Sequence, residues 1–93
     1  MSGPLFPLGQ VVATPAALEA LRSAGDDHTA YLIKHVTLDP CDLDEADIKE
    51  NWFSLEAGFR ILSAYTLSDG KTRIWIITEA NRESTTVLLP SEY

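Results

Sequence analysis

The chain has 93 residues, 45% of them apolar and 9% aromatic, with a formal net charge of −7. At this size one small domain, residues 1–93, is expected to bury roughly two thirds of its unfolded surface, and a second domain has no room. No stretch approaches the ~20 consecutive apolar residues of a membrane span, and Met1-Ser2-Gly3-Pro4 lacks the positive start and apolar core of a signal peptide, so a soluble, cytoplasmic protein is expected.

The opening SGPLFPLG carries Pro4 and Pro7 and reads as an extended arm, with Leu5, Phe6 and Leu8 available to pack. Residues 10–13, QVVA, suit a short edge strand. Thr14-Pro15 is a helix start: the threonine caps free amides, and proline at the first helical position lacks an N–H that has no partner there anyway. Leu18 and Leu21 are expected on the buried stripe, and Gly25 ends this helix. Asp26 or Asp27 then caps a second helix over 28–36 with Leu32, Ile33 and Val36 as its apolar face. After the Asp39-Pro40 break, Asp44 caps a third helix whose face is Ile48, Trp52, Leu55 and Phe59, with Gly58 offering a stop.

From Arg60 the apolar period changes to two. RILSAYTL, Ser68-Asp69-Gly70-Lys71 and TRIWIIT form a hairpin signal, because Asp-Gly supplies the positive φ angles of a type I′ turn. With Asp69-Gly70 as the loop, Thr66 faces Arg73, Ala64 faces Trp75, Leu62 faces Ile77 and Arg60 faces Glu79. A turn through Asn81-Arg82-Glu83 leads to a third strand, STTVLLP. The expected fold is therefore α+β: an N-terminal arm with a short strand, three short helices, then a three-stranded antiparallel meander. Both hairpin faces are apolar, so either the helices and arm wrap both, or one face is an interface, including one with a second copy of the chain.

The charge is concentrated. Residues 26–58 hold nine acidic groups against Lys34 and Lys49, whereas the flanking stretches are neutral. DPCDLDEADIKEN, 39–51, carries Asp39, Asp42, Asp44, Glu45, Asp47 and Glu50. Asp44, Glu45 and Asp47 suit a helix N-terminus, each worth ~0.3–1 kcal/mol; Asp39, Asp42 and Glu50 have no such reason. As an EF-hand loop from Asp42 the stretch fails at Ala46, Asp47 and Phe53. His28 and His35 stand about 10.5 Å apart along one helix, too far to share a metal; His35 is expected to complement the helix dipole when charged and His28 to sit at the surface. The single cysteine, Cys41, excludes an internal disulfide and a cysteine-built zinc site, and its acidic neighbours disfavour the thiolate.

No nucleophile elbow, phosphate loop or His-Glu-x-x-His is present, and no cofactor or metal is expected. Direct nucleic-acid binding is not expected of so acidic a chain; a basic protein partner is. Two readings remain open for the acidic belt, a solvated helix start and a partner surface that imitates DNA phosphates as an inhibitor of a basic DNA-processing protein. The alternative site is the arginine-bearing sheet face of Arg60, Arg73 and Trp75, with Arg82 and Tyr65 nearby, serving a small RNA- or nucleotide-binding module or an enzyme.

PLFPLGQVVATPAALEAL at the start, with RILSAYTL and RIWIITEANRESTTVLLPSEY at the end, resembles a family of small, uncharacterised bacterial proteins carried on plasmids and integrated elements, called plasmid-related proteins and sometimes type I restriction subunits. The resemblance implies a mobile-element context and brings no catalytic residue with it. The expectation is a non-enzymatic accessory protein of a mobile element, acting through protein contacts made by the six acids, with Trp52 beneath them in the core.

Overall fold

The computed structural model describes residues 4–38 and 45–93. The Asp39-Pro40 break, Cys41, Asp42 and the Asp44 cap lie outside them. The elements are β1 (Gln10–Ala13), α1 (Pro15–Ala24), α2 (His28–Val36), α3 (Glu45–Ala57), β2 (Ile61–Thr66), β3 (Arg73–Thr78), β4 (Ser84–Leu88) and a closing 3-10 turn, Pro90–Glu92. The local signals act as read: Thr14 Oγ1 accepts from Ala17 N at 3.1 Å, Asp27 Oδ1 accepts from Thr29 N at 3.0 Å, and Gly25 closes α1 at φ 74°.

The fold is α+β, but the sheet is four-stranded and mixed, in the order β1-β4-β3-β2. The expected meander β2-β3-β4 is joined by β1, which runs parallel to β4 from Gln10 beside Ser84 to Ala13 beside Val87. A positive φ of 66° at Gly9 turns the arm against the β3–β4 turn, and a side chain there would meet the Glu83 carbonyl carbon at 2.3 Å. Gln10 N then donates to Glu83 O at 2.9 Å and Thr14 N to Val87 O at 3.0 Å, so β4 holds β1 at both ends.

The hairpin register is the expected one from Thr66 beside Arg73 through Ala64 beside Trp75 to Leu62 beside Ile77; the ladder closes at Ile61 beside Thr78, so the expected Arg60–Glu79 pair is not part of it. Its turn differs. Only Gly70 takes positive φ there, at 75°, so the loop is not type I′. Leu67 and Thr72 close it, and the Asp69 carboxylate accepts from Lys71 N at 3.0 Å, Thr72 N at 2.9 Å and the Thr72 hydroxyl. An aspartate that binds its own loop makes a left-handed residue at position 69 unnecessary.

One sheet face, Ile61, Ser63, Tyr65, Ile74, Ile76, Thr78, Thr85 and Val87, is buried. Ala17 and Leu21 of α1 and Tyr31 and Leu32 of α2 pack on it. Phe6 of the arm, Val36, Leu38 and Ile61 form a second cluster that Leu55 of α3 joins. Four residues expected in the core are not there: Leu18, Ile33, Trp52 and Phe59 are 47%, 59%, 48% and 54% exposed. On α1 and α2 the contact stripe is rotated by about one residue, because Ala17 lets α1 approach the strands and His35 of α2 has buried polar partners to meet. On α3 the side chains turned inward are Asn51 and Ser54.

Candidate functional site: a charged groove on the second sheet face

The reason for that polar inward face is the sheet edge. β2 is the outermost strand, and its edge backbone groups at Leu62 need partners. Asn51 supplies both: its Oδ1 accepts from Leu62 N at 3.1 Å and its amide nitrogen donates to Leu62 O. A side-chain amide thus pairs with the edge as another strand would. Arg82, at φ 60° in the β3–β4 turn, holds the other end of α3: its Nη2 donates to Ser54 O at 3.1 Å and its Nη1 to Phe59 O at 2.7 Å. The last turn of α3 has no basic residue, so this guanidinium supplies the cation its C-terminus favours.

Fixed in this way, α3 and the closing segment border an open groove of about 340 Å³ over the second face of the hairpin. Leu62, Trp75 and Ile77 come from the sheet, Asp47, Glu50 and Asn51 from α3, Arg60 from the start of β2, and Tyr93 from the chain end. The Tyr93 ring packs edge-on to Trp75, centroids 5.5 Å apart, and the Arg60 guanidinium lies 5.4 Å from the Tyr93 centroid. Glu92 anchors this segment: its Oε1 accepts from the Thr14 hydroxyl at 2.7 Å and from Leu89 N at 2.9 Å, and these bonds lower its pKa.

The two sets of residues expected from sequence to form separate sites meet here. Asp47 and Glu50 of the acidic set share the groove with Arg60 and Trp75 of the sheet-face set. Glu45 stands on the exposed side of α3, paired with Lys49 at 3.7 Å. Arg73 lies on the same sheet face as Trp75 but outside the groove lining, Arg82 is engaged by backbone carbonyls, and Tyr65 is in the core. Trp52 is half exposed rather than beneath the acids. Asp39, Asp42 and Asp44 lie outside the described residues. Asn51 and Tyr93 were not legible as groove residues, because neither stands in a motif.

His35 also departs from expectation. It is fully buried, with Nδ1 2.7 Å from Ser63 Oγ, Nε2 2.8 Å from Thr78 Oγ1 and the Phe6 ring edge-on at 5.3 Å. Thr78 Oγ1 meets Thr85 Oγ1 at 2.8 Å, and the Thr85 hydroxyl donates to Leu8 O at 2.7 Å. That carbonyl can only accept, which sets the direction of every bond behind it. Thr85 accepts from Thr78, Thr78 accepts from the Nε2 proton, and Nδ1, left bare, accepts from Ser63. Burial lowers the imidazole pKa to about 4, so His35 is neutral and does not complement the α2 dipole. The Ser63–His35 pair resembles a nucleophile and its base, but with both groups sealed in the core it serves to join α2, β2, β3, β4 and the arm.

Among the described residues no three His, Cys, Asp or Glu side chains gather in a way that would hold a metal ion, and no helix is long and apolar enough to cross a membrane. Comparison with protein-family models, with curated proteins and with solved structures finds no match.

Proposed function

We propose that this chain is a non-enzymatic accessory protein of a mobile element that binds a basic protein through α3 and the groove beside it. The observation that carries the reading is that Asp47 and Glu50 line a concave surface with Trp75 and Tyr93. Carboxylates attract and orient a basic partner, and aromatic area supplies the affinity that exposed charge pairs alone do not. The mobile-element context rests on the resemblance of the two chain ends, and the basic partner on the charge of −7, all of which the sequence concentrates in residues 26–58. In that setting the partner is a DNA-processing protein whose basic channel the acids occupy. The carboxylates in the groove oppose the alternative, a sheet face that stacks RNA bases beside Arg60, because phosphate is repelled there.

The test is capture from bacterial lysate at low and high salt, by the wild type and by a Glu45→Gln/Asp47→Asn/Glu50→Gln variant whose fold is checked by circular dichroism. A basic protein recovered by the wild type at low salt, and lost both at high salt and with the variant, is the expected result. Equal recovery by the variant overturns the reading.

A further inference from the structure

The groove holds two charges of opposite sign that do not neutralise each other. Glu50 makes no hydrogen bond or ion pair with a described residue, and Arg60, resting on the Tyr93 ring, makes no ion pair with one. Both side chains are exposed, and an exposed pair gains little by closing on itself, so each is available to a charged group seated in the groove. The indole of Trp75 and the side chains of Leu62 and Ile77, from the sheet, line the same groove.

We propose that this groove is a specificity pocket for a partner segment that presents a lysine or arginine together with a neighbouring acidic residue. The proposal deepens the function proposed above and rests on it. The alkyl stem of the cationic side chain lies along Trp75 and Ile77, as long basic side chains do over apolar surface. Its charged head reaches Glu50 and Asp47, with the indole face adding a cation–π contribution. Arg60 receives the acidic neighbour. It also repels a segment bearing only positive charge, so the residue that rewards a mixed segment rejects a purely basic one. The acidic belt by itself attracts any cation; Arg60 makes the groove selective, and Tyr93 contacts both Arg60, over its ring, and Trp75, edge-on.

The test uses the full chain, labelled with ¹⁵N, and reads the Trp75 indole N–H signal during titration with capped Gly/Ser peptides. One carries a lysine and a glutamate two positions later, one has norleucine for the lysine, and one carries three lysines and no acid. The lysine–glutamate peptide is expected to shift the Trp75 signal and the norleucine peptide to bind about fivefold or more weakly. Arg60→Gln is expected to weaken the lysine–glutamate peptide and strengthen the three-lysine one, a reversal of sign that general loss of structure does not produce. Equal binding of the norleucine peptide overturns the cation site. A three-lysine peptide that binds the wild type best, with no response to Arg60→Gln, overturns the selectivity. If no peptide moves Trp75 while the acid-neutralised variant still loses its basic partner, this inference falls and the wider reading stands; if the peptides behave as expected and that variant keeps the partner, the wider reading falls instead.

Discussion

His35 Nε2 lies 2.8 Å from Thr78 Oγ1, and because the threonine hydroxyl is committed onward to Thr85, the imidazole must be the donor. A charged imidazole would turn Nδ1 into a second donor facing the Ser63 hydroxyl, with no carboxylate among its described hydrogen-bond partners to receive the charge.

Stability should therefore fall with acid in two steps. His35 has a folded pKa of about 4 against an ordinary 6.5, so above pH 6.5 both states are neutral and its contribution is complete. As the pH drops below 6.5 the unfolded chain takes up the proton first, and stability is lost until the folded pKa is reached, by roughly 3 kcal/mol in all. Below about pH 4 a second loss follows as Asp69, held down to about 2 chiefly by the Thr72 hydroxyl, and Asp26, lowered chiefly by the Ser68 hydroxyl, take up protons. Urea midpoints measured from pH 8 to pH 3 check this, and in a His35→Gln variant the first step should vanish. A flat wild-type curve between pH 6.5 and 4.5 would refute the buried neutral imidazole.

Thr85→Val removes the hydroxyl that accepts from Thr78 and donates to Leu8 O, while keeping the shape of the side chain. The buried Thr78 hydroxyl and the part-buried Leu8 carbonyl each lose a partner, and a loss of about 1–3 kcal/mol is expected. Hydrogen exchange at the Gln10 amide should quicken along with the general loss, since the arm is released from β4. Unchanged stability and exchange would show that the bond to the arm contributes nothing.

Gly9→Ala should be among the most damaging exposed substitutions in the chain. The residue has φ 66°, and the added Cβ would stand 2.3 Å from the Glu83 carbonyl carbon, a backbone atom that cannot move aside without breaking the Gln10–Glu83 bond. A cost of about 2 kcal/mol or more is expected, with β1 detaching from the sheet. Gly70→Ala serves as the control: its φ is also positive, but nothing lies within 4 Å of the added carbon, so it should cost less.

Asn51→Leu keeps the branching at Cγ and removes the amide that satisfies Leu62. The orphaned N–H and C=O are expected to cost about 1–3 kcal/mol and to leave β2 open to pairing with another chain. Thermal denaturation reads the first effect and light scattering at rising concentration the second. A variant as stable and as monodisperse as the parent would mean that the edge needs no cover from α3.

Arg82 separates backbone strain from anchoring. Arg82→Gly relieves the φ of 60° but loses the contacts to Ser54 O and Phe59 O, whereas Arg82→Ala loses the contacts and keeps the strain. Both variants should be less stable than the parent, with alanine the worse by about 1 kcal/mol. Both should also disturb the groove, because α3 loses its C-terminal anchor; the Trp75 indole signal reports that shift. An undisturbed Trp75 in both would place the anchoring elsewhere.

Much of this molecule was legible from short-range signals, and the parts that were not share one cause. Thr14-Pro15, Gly25 and Asp27 set helix ends because capping is settled within a few residues of chain. The alternation through RILSAYTL and TRIWIIT set the strand register, since a slip of one residue would exchange the two faces. The concentration of acid between residues 26 and 58 is a fact of composition. What the sequence did not disclose depends on groups distant along the chain. The parallel pairing of β1 needs Gly9 against Glu83, and the buried position of His35 needs Ser63, Thr78 and Thr85 assembled from three strands. Trp52 stands half exposed because the open edge at Leu62 required an amide, and apolar spacing along one helix carries no record of an unpaired backbone on another element. The groove follows from the same fact: Asp47, Glu50, Arg60, Trp75 and Tyr93 become one surface only when α3 docks on that edge and the chain end crosses the sheet.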